Sequence, residues 1–153
     1  RQMCIRDRVE VDPETATLRF LRYVVVHDCG TVLNPLILDG QIHGGVAQGI
    51  GGSFFERLVY DDSGQLLSGS FMDFHIPTAV EIPEVEVVHQ ETPSPLNPIG
   101  AKGAGEGGVI PVPALLAQAI EDALDDLELE ILHMPLYPDA LFERIQKAPR
   151  RRP

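Results

Sequence analysis

Apolar and polar positions alternate unevenly along this chain, and the clearest pattern comes early. Val9-Glu10-Val11-Asp12, the turn Pro13-Glu14-Thr15 and the run from Thr17 to His27, with Val24-Val25-Val26 at its centre, predict a hairpin whose second strand is buried. Asp28-Cys29-Gly30 ends that strand, and Thr31 to Pro35 is a loop because a residue before proline avoids the helical region. From Leu36 to about Arg57 the residues Ile42, Val46, Ile50 and Phe54 recur every fourth position, which predicts a helix with one apolar face.

Beyond it, Leu58-Val59-Tyr60 and Gln65-Leu66-Leu67 flank Asp61-Asp62-Ser63-Gly64 and predict a second hairpin. Phe71 to Pro83 is irregular, with Phe71 and Phe74 expected to pack inward. A strand is expected around Val85 and Val87 to about Glu91, after which Thr92-Pro93-Ser94-Pro95-Leu96-Asn97-Pro98 excludes regular structure. Pro111 and Pro113 mark the first turn of a helix whose core face is Leu116, Ile120, Ala123, Leu124 and Leu127. Leu129 to Met134 is expected as a short strand, and Pro138 opens a last helix through Ile145. Without regular βαβ alternation the mixture predicts an α+β fold.

Composition narrows the class. The 153 residues suit one domain, and 44% apolar with 23% charged residues is an ordinary globular balance. No apolar run approaches the ~20 residues of a membrane helix. Cys4 and Cys29 are too few for a disulfide framework or a zinc site, which fits a reducing cytoplasm. Net charge is −11, but residues 9–142 carry −17 with only Arg19, Arg22, Arg57 and Lys102 as cations, so nucleic acid is an unsuitable partner. Residues 1–8 differ in composition from the rest of the chain, resemble a translated adapter remnant and are expected to be a non-native leader; residues 147–153 are expected to be a basic tail.

Glycine placement carries the most information. Eleven of the 14 lie in two windows, residues 40–52 and 100–108. A glycine inside a helix forgoes about 1 kcal/mol relative to alanine, so the first window needs a compensating contact. Two readings stand side by side: close packing of backbone segments, or a helix start that faces a ligand. In the second window, Gly100-Ala101-Lys102-Gly103-Ala104-Gly105-Glu106-Gly107-Gly108, successive N–H groups ahead of a helix can cradle an anion, with Lys102 adding charge. Glu106 is out of place in such a cradle unless it accepts a proton.

Gly103-x-Gly105-x-x-Gly108 also satisfies a dinucleotide-binding fingerprint, with Glu128 20 residues beyond, so a Rossmann-like module is an alternative. That alternative requires a strand directly before the loop, where Pro93, Pro95 and Pro98 stand instead. A non-catalytic interaction domain is the other alternative. His27, His43, His75, His89 and His133 are scattered and give no metal-ligand spacing, and Cys29 reads as a buried apolar residue.

Three segments taken together, His27-Asp28-Cys29-Gly30-x-x-x-Asn34-Pro35, Asp39-Gly40-Gln41-Ile42-His43-Gly44-Gly45-x-x-Gln48-Gly49 and Gly100 to Glu106, resemble the C-terminal end of the molybdopterin-binding large subunit of the xanthine dehydrogenase, aldehyde oxidase and aerobic carbon monoxide dehydrogenase family. The resemblance spans residues 9–146, in order, and with Thr78-Ala79-Val80-Glu81-Ile82-Pro83 it leans toward the carbon monoxide dehydrogenase-like bacterial subunits. It implies the C-terminal part of the second molybdopterin-binding domain of a molybdenum hydroxylase. Glu106 would be the base beside molybdenum in hydroxylation, or carbon monoxide oxidation, with water as oxygen source. Lys102, Gly103, Ala104 and Gly105 would hold the cofactor through their backbone, in bacteria commonly as the cytosine dinucleotide form, and Gln41 would hydrogen-bond it. Asp28 and Asn34 would line its dinucleotide end. FAD and iron–sulfur clusters would sit on a medium and a small partner subunit in a dimer of heterotrimers. The fragment alone, lacking the upstream part of its own subunit, would be inactive.

Overall fold

The computed structural model describes residues 3–151; Arg1 and Gln2 of the expected leader and Arg152 and Pro153 of the expected tail lie outside the described residues. Strand β1 (Met3–Val11) pairs antiparallel with β2 (Leu18–His27). The turn between them closes through Asp12, whose carbonyl accepts the N–H of Ala16 and whose N–H donates to the carbonyl of Thr17. The hairpin is the expected one, and β1 runs on through residues 3–8, with Asp7 opposite Tyr23 and a register shift between Arg8 and Val9. Thus the change in composition at residue 9 does not coincide with the end of a structural element.

Helix α1 (Pro35–Ile50) begins where proline costs no hydrogen bond, at its first residue. Asn34 is extended and caps it, its Oδ1 accepting the N–H of Ile37 at 3.2 Å. The fourfold spacing holds: Leu38, Ile42, Val46 and Ile50 are all buried. The helix then widens into a π turn over Gly51–Phe55, closed by the Glu56 N–H on the Gly51 carbonyl at 2.8 Å, which swings Phe54 inward.

After α1 the chain returns to the sheet as β3 (Val85–His89), which lies parallel to β2 with His27 opposite His89, giving the order β1-β2-β3. Helices α2 (Val112–Ala123) and α3 (Pro138–Lys147) complete the α+β fold. One core joins Tyr23, Val25 and Val85 of the sheet to the buried face of α1 and to Val112. A second gathers Leu116 and Ile120 of α2 with Leu141 and Ile145 of α3, around Phe54 and Leu136.

Four expectations need correction. The hairpin at residues 58–67 is closed by the Asp61 N–H on the Gln65 carbonyl at 3.0 Å and the Leu67 N–H on the Val59 carbonyl at 2.7 Å, but its two arms form only one bridging pair, Tyr60 with Leu66, rather than strands, and the N–H of Val59 goes to Ser68 Oγ. Phe71 does not pack; it is 84% exposed, since the turn over residues 70–74, closed on Ser70, directs it outward. Ala123 is exposed, and Ala117, next to Leu116, takes a core position instead. Residues 129–134 form no strand: the N–H of Ile131 goes to the Glu121 carboxylate, while the neighbouring ladder positions 126–128 pair with residues 149–151.

Several large apolar side chains stand open to solvent, among them Leu36, Phe71, Met72, Val80 and Leu96. Isolated cases are normal on any surface, but Phe71 and Met72 share one depression with Ile76, alongside the polar Asp73, His75 and Thr78. No helix among the described residues is long and apolar enough to cross a membrane.

Candidate functional site

The end of β2, the start of α1 and the glycine-rich loop 100–108 meet at one place, although they are far apart in sequence. Gly30 and Ala101 form an isolated antiparallel bridge, the N–H of Lys102 donates to the Cys29 carbonyl at 2.6 Å, and that of Thr31 to the Gly100 carbonyl at 3.1 Å. From the other side, Gln41 Nε2 donates to the Gly105 carbonyl at 2.8 Å. Between them lies a hollow of about 380 Å³, bordered by Asn34, Ile37 and Gln41 of the helix entry and by Ala101, Lys102, Ala104 and Gly105 of the loop.

The glycine windows explain how backbone comes so close. A Cβ on Gly108 would run into the Ile42 carbonyl oxygen, and one on Gly45 would stand 3.0 Å from the Gly108 Cα, so helix and loop touch backbone to backbone. Gly107 lies on buried His27 in the same way. Elsewhere on α1, Gly40 and Gly44 have nothing within 4 Å. The packing reading of the first window therefore holds for some of its glycines, Gly45 among them, while Gly40 and Gly44 leave the helix surface open.

The N–H groups of Gly103, Ala104, Gly105 and Glu106 donate to no described residue, while Gly103, Gly105 and Glu106 are exposed. Successive backbone N–H groups left without protein partners are donors that an anion can use. The exposed Glu106 carboxylate makes no hydrogen bond or ion pair with any described residue, and Glu106, like Gly103, is not among the residues that border the hollow.

Lys102 does less for the cradle's charge than its sequence position suggests. Its ammonium meets Asp28 Oδ2 at 3.0 Å, and Asp28 is 4% exposed. The other oxygen of Asp28 accepts the N–H groups of Gly30 at 2.8 Å and Thr92 at 3.1 Å. These N–H groups and the ammonium hold the Asp28 carboxyl well below the usual carboxylate range. Asp28 thus lies behind the hollow rather than on its wall, while Asn34, Gln41, Lys102, Ala104 and Gly105 border it. Burial pushes the thiol of Cys29, at the back of the hollow, upward, which keeps it an inert apolar group.

Sequence reasoning did not single out the apolar border, Leu33, Ile37 and Leu38. Ile37 could have been found, since it precedes Gln41 by one helical turn and shares its face. Thr31 and the Thr92 N–H carry no such signal. The histidines serve structure: His43 Nε2 lies 3.0 Å from the Val85 carbonyl, His89 Nε2 2.7 Å from Asp39 Oδ1, and His75 stacks on Phe55.

A Rossmann site is disfavoured by the topology, because β3 ends at His89 and irregular chain through the prolines separates it from Gly103.

Residues 3–83 match the molybdopterin cofactor-binding domain family. The chain belongs to that family. This molybdopterin-binding domain is 43% identical over 131 residues to the nicotine 6-hydroxylase large subunit of Paenarthrobacter nicotinovorans, covering 86% of this chain and 16% of that protein. It is 39% identical over 132 residues to the carbon monoxide dehydrogenase large chain of Afipia carboxidovorans, with the same two coverages. Among solved structures, quinoline 2-oxidoreductase from Pseudomonas putida 86 superposes with a TM-score of 0.86 at 45% identity, covering 92% of this chain and 18% of that one. The domain spans about one-sixth of the length of these curated relatives.

The site fits the family's group on its own terms. An anionic pterin needs hydrogen-bond donors, and the loop offers four N–H groups that donate to no described residue, while its one cation, Lys102, is paired with Asp28.

Proposed function

We propose that this domain is part of the large subunit of a molybdenum-dependent oxidoreductase, and that Glu106 is its catalytic base. The observation that carries the reading is the uncommitted carboxylate of Glu106 next to three uncommitted N–H groups, in a loop pinned by Gln41. When bound, the molybdopterin group supplies a two-electron redox change, with water as the source of the oxygen delivered to substrate.

The chain's own residues divide the remaining work. Gly103, Ala104 and Gly105 bind the group through their N–H groups, and the backbone of Lys102 holds the near end of that run. Gln41 occupies the Gly105 carbonyl with its Nε2 and leaves its own Oε1 as an acceptor at the border. Asn34, which caps α1, borders the hollow, and a cytosine dinucleotide extension is accommodated beside it. Leu33 and Ile37, exposed in this domain, give the hollow an apolar border. Glu106 takes a proton as water becomes the nucleophile and must be ionised to do so.

Half of such a pocket is here, and we assign the other half to the upstream part of the same subunit, which also covers the open patch at Phe71 and Met72. Electrons leave for partner subunits carrying FAD and iron–sulfur clusters, in a cytoplasmic dimer of heterotrimers. Substrates are electron-poor heterocycles, aldehydes or carbon monoxide.

The test is Glu106→Gln in the full-length enzyme. Molybdenum and pterin content should stay at wild-type level while turnover falls by about 10²- to 10⁴-fold. Retained turnover refutes the assignment of the base.

A further inference from the structure

The loop that carries the cradle hangs between two fastenings. At Lys102 both backbone and side chain are held, the N–H by the Cys29 carbonyl at 2.6 Å and the ammonium by Asp28 at 3.0 Å. At Gly105 the carbonyl is held by Gln41 at 2.8 Å. Only Gly103 and Ala104 lie between, and the three links from Lys102 to Gly105 reach at most about 11 Å when extended. So short a span has little slack, and its position is set by its ends.

Of the two ends, the Lys102 end depends on one buried group. Asp28 is 4% exposed and every bond it makes points inward: to the N–H of Gly30, to the N–H of Thr92 after β3, and to Lys102. These three belong to the end of β2, the segment beyond β3, and the loop. We propose that Asp28 is a positioning residue, whose carboxylate locks these segments in register so that the stretch from Lys102 to Gly105 keeps its place at the border of the hollow. It touches no ligand and acts through Lys102. This rests on the reading of the loop as the molybdopterin cradle, but the lock itself can be tested without it.

A purely structural carboxylate would give a different result from a positioning one. In the full-length enzyme, Asp28→Asn keeps an oxygen for the Gly30 and Thr92 N–H groups but sets an amide against the ammonium. Hydrogen exchange in the peptide spanning residues 100–110 should accelerate by about tenfold, while exchange in α3 stays at the wild-type rate. Turnover should fall by about 10- to 100-fold with KM changed less than about threefold, and pterin per chain should drop. Asp28→Glu, which keeps the charge, should recover part of the turnover. Should Asp28→Asn not fold, Lys102→Gln breaks the same ion pair from its more accessible side and should give the same local exchange signature. Exchange that rises equally in α3 and in the loop, or a loop and turnover within twofold of wild type, overturns the proposal. Failure of Glu106→Gln to slow turnover would remove the base yet leave the exchange result for Asp28 standing, so the two failures are separable.

Discussion

Gln41 Nε2 donates to the carbonyl oxygen of Gly105 at 2.8 Å, and that bond binds the exposed face of α1 to the loop carrying Glu106. Gln41→Leu removes it and leaves the carbonyl to solvent, for an expected loss of about 1 kcal/mol and a lower pterin content in the full-length subunit. Gln41→Glu is expected to be worse at neutral pH, because a carboxylate would face a carbonyl, and to improve as acid protonates it near pH ~4. Denaturant midpoints across pH check both.

Two neighbouring glycines of α1 should respond in opposite directions. Gly45→Ala places a methyl against the backbone of Gly108 and should cost about 1–3 kcal/mol through overpacking. Gly44→Ala meets nothing within 4 Å and should stabilise the helix by up to about 1 kcal/mol. Thermal melts of the two variants decide it; equal effects would contradict the packing of helix on loop.

Burial pushes the Asp7 carboxyl up to about 6, where it sits in β1 opposite Tyr23. A proton held more tightly in the folded state stabilises the fold below the ordinary carboxylate pKa of about 4, and that contribution is lost as pH rises through 6. Asp7→Asn should therefore raise the melting temperature at pH 8 and leave it nearly unchanged at pH 4.

Asp28 has the opposite sign. Its carboxyl is held low by the Gly30 N–H and Lys102, so its contribution is present above about pH 4 and fades as the pH falls below that. The acid limb of the wild-type stability curve should be steeper than that of Asp28→Asn, measured by unfolding between pH 5 and pH 2.

How far these features could be read in advance depended on whether their cause was local. The α1 pattern and the β1–β2 turn are set by neighbours in sequence and were legible there, whereas Pro35, expected to end the loop, is the first residue of the helix. The glycine windows were legible as crowding, but not which glycine faces what: Gly44 and Gly45 look alike as letters and differ only in the direction their hydrogens point. Residues 129–134 look like a strand by composition, yet the Glu121 carboxylate, from a different element, claims the N–H a ladder would need. Lys102 reads as a free cation until its partner 74 residues away is seen.

That separation bears on how the domain reaches its final form. The bonds that tie down the loop join residues 64 and 74 apart, and β2 pairs with β3 only after α1 has crossed over. Such distant contacts become favourable only when the intervening chain has already been ordered. The cradle is accordingly among the last parts to assemble during folding, and a nascent chain released before Lys102 emerges has no partial version of it to offer.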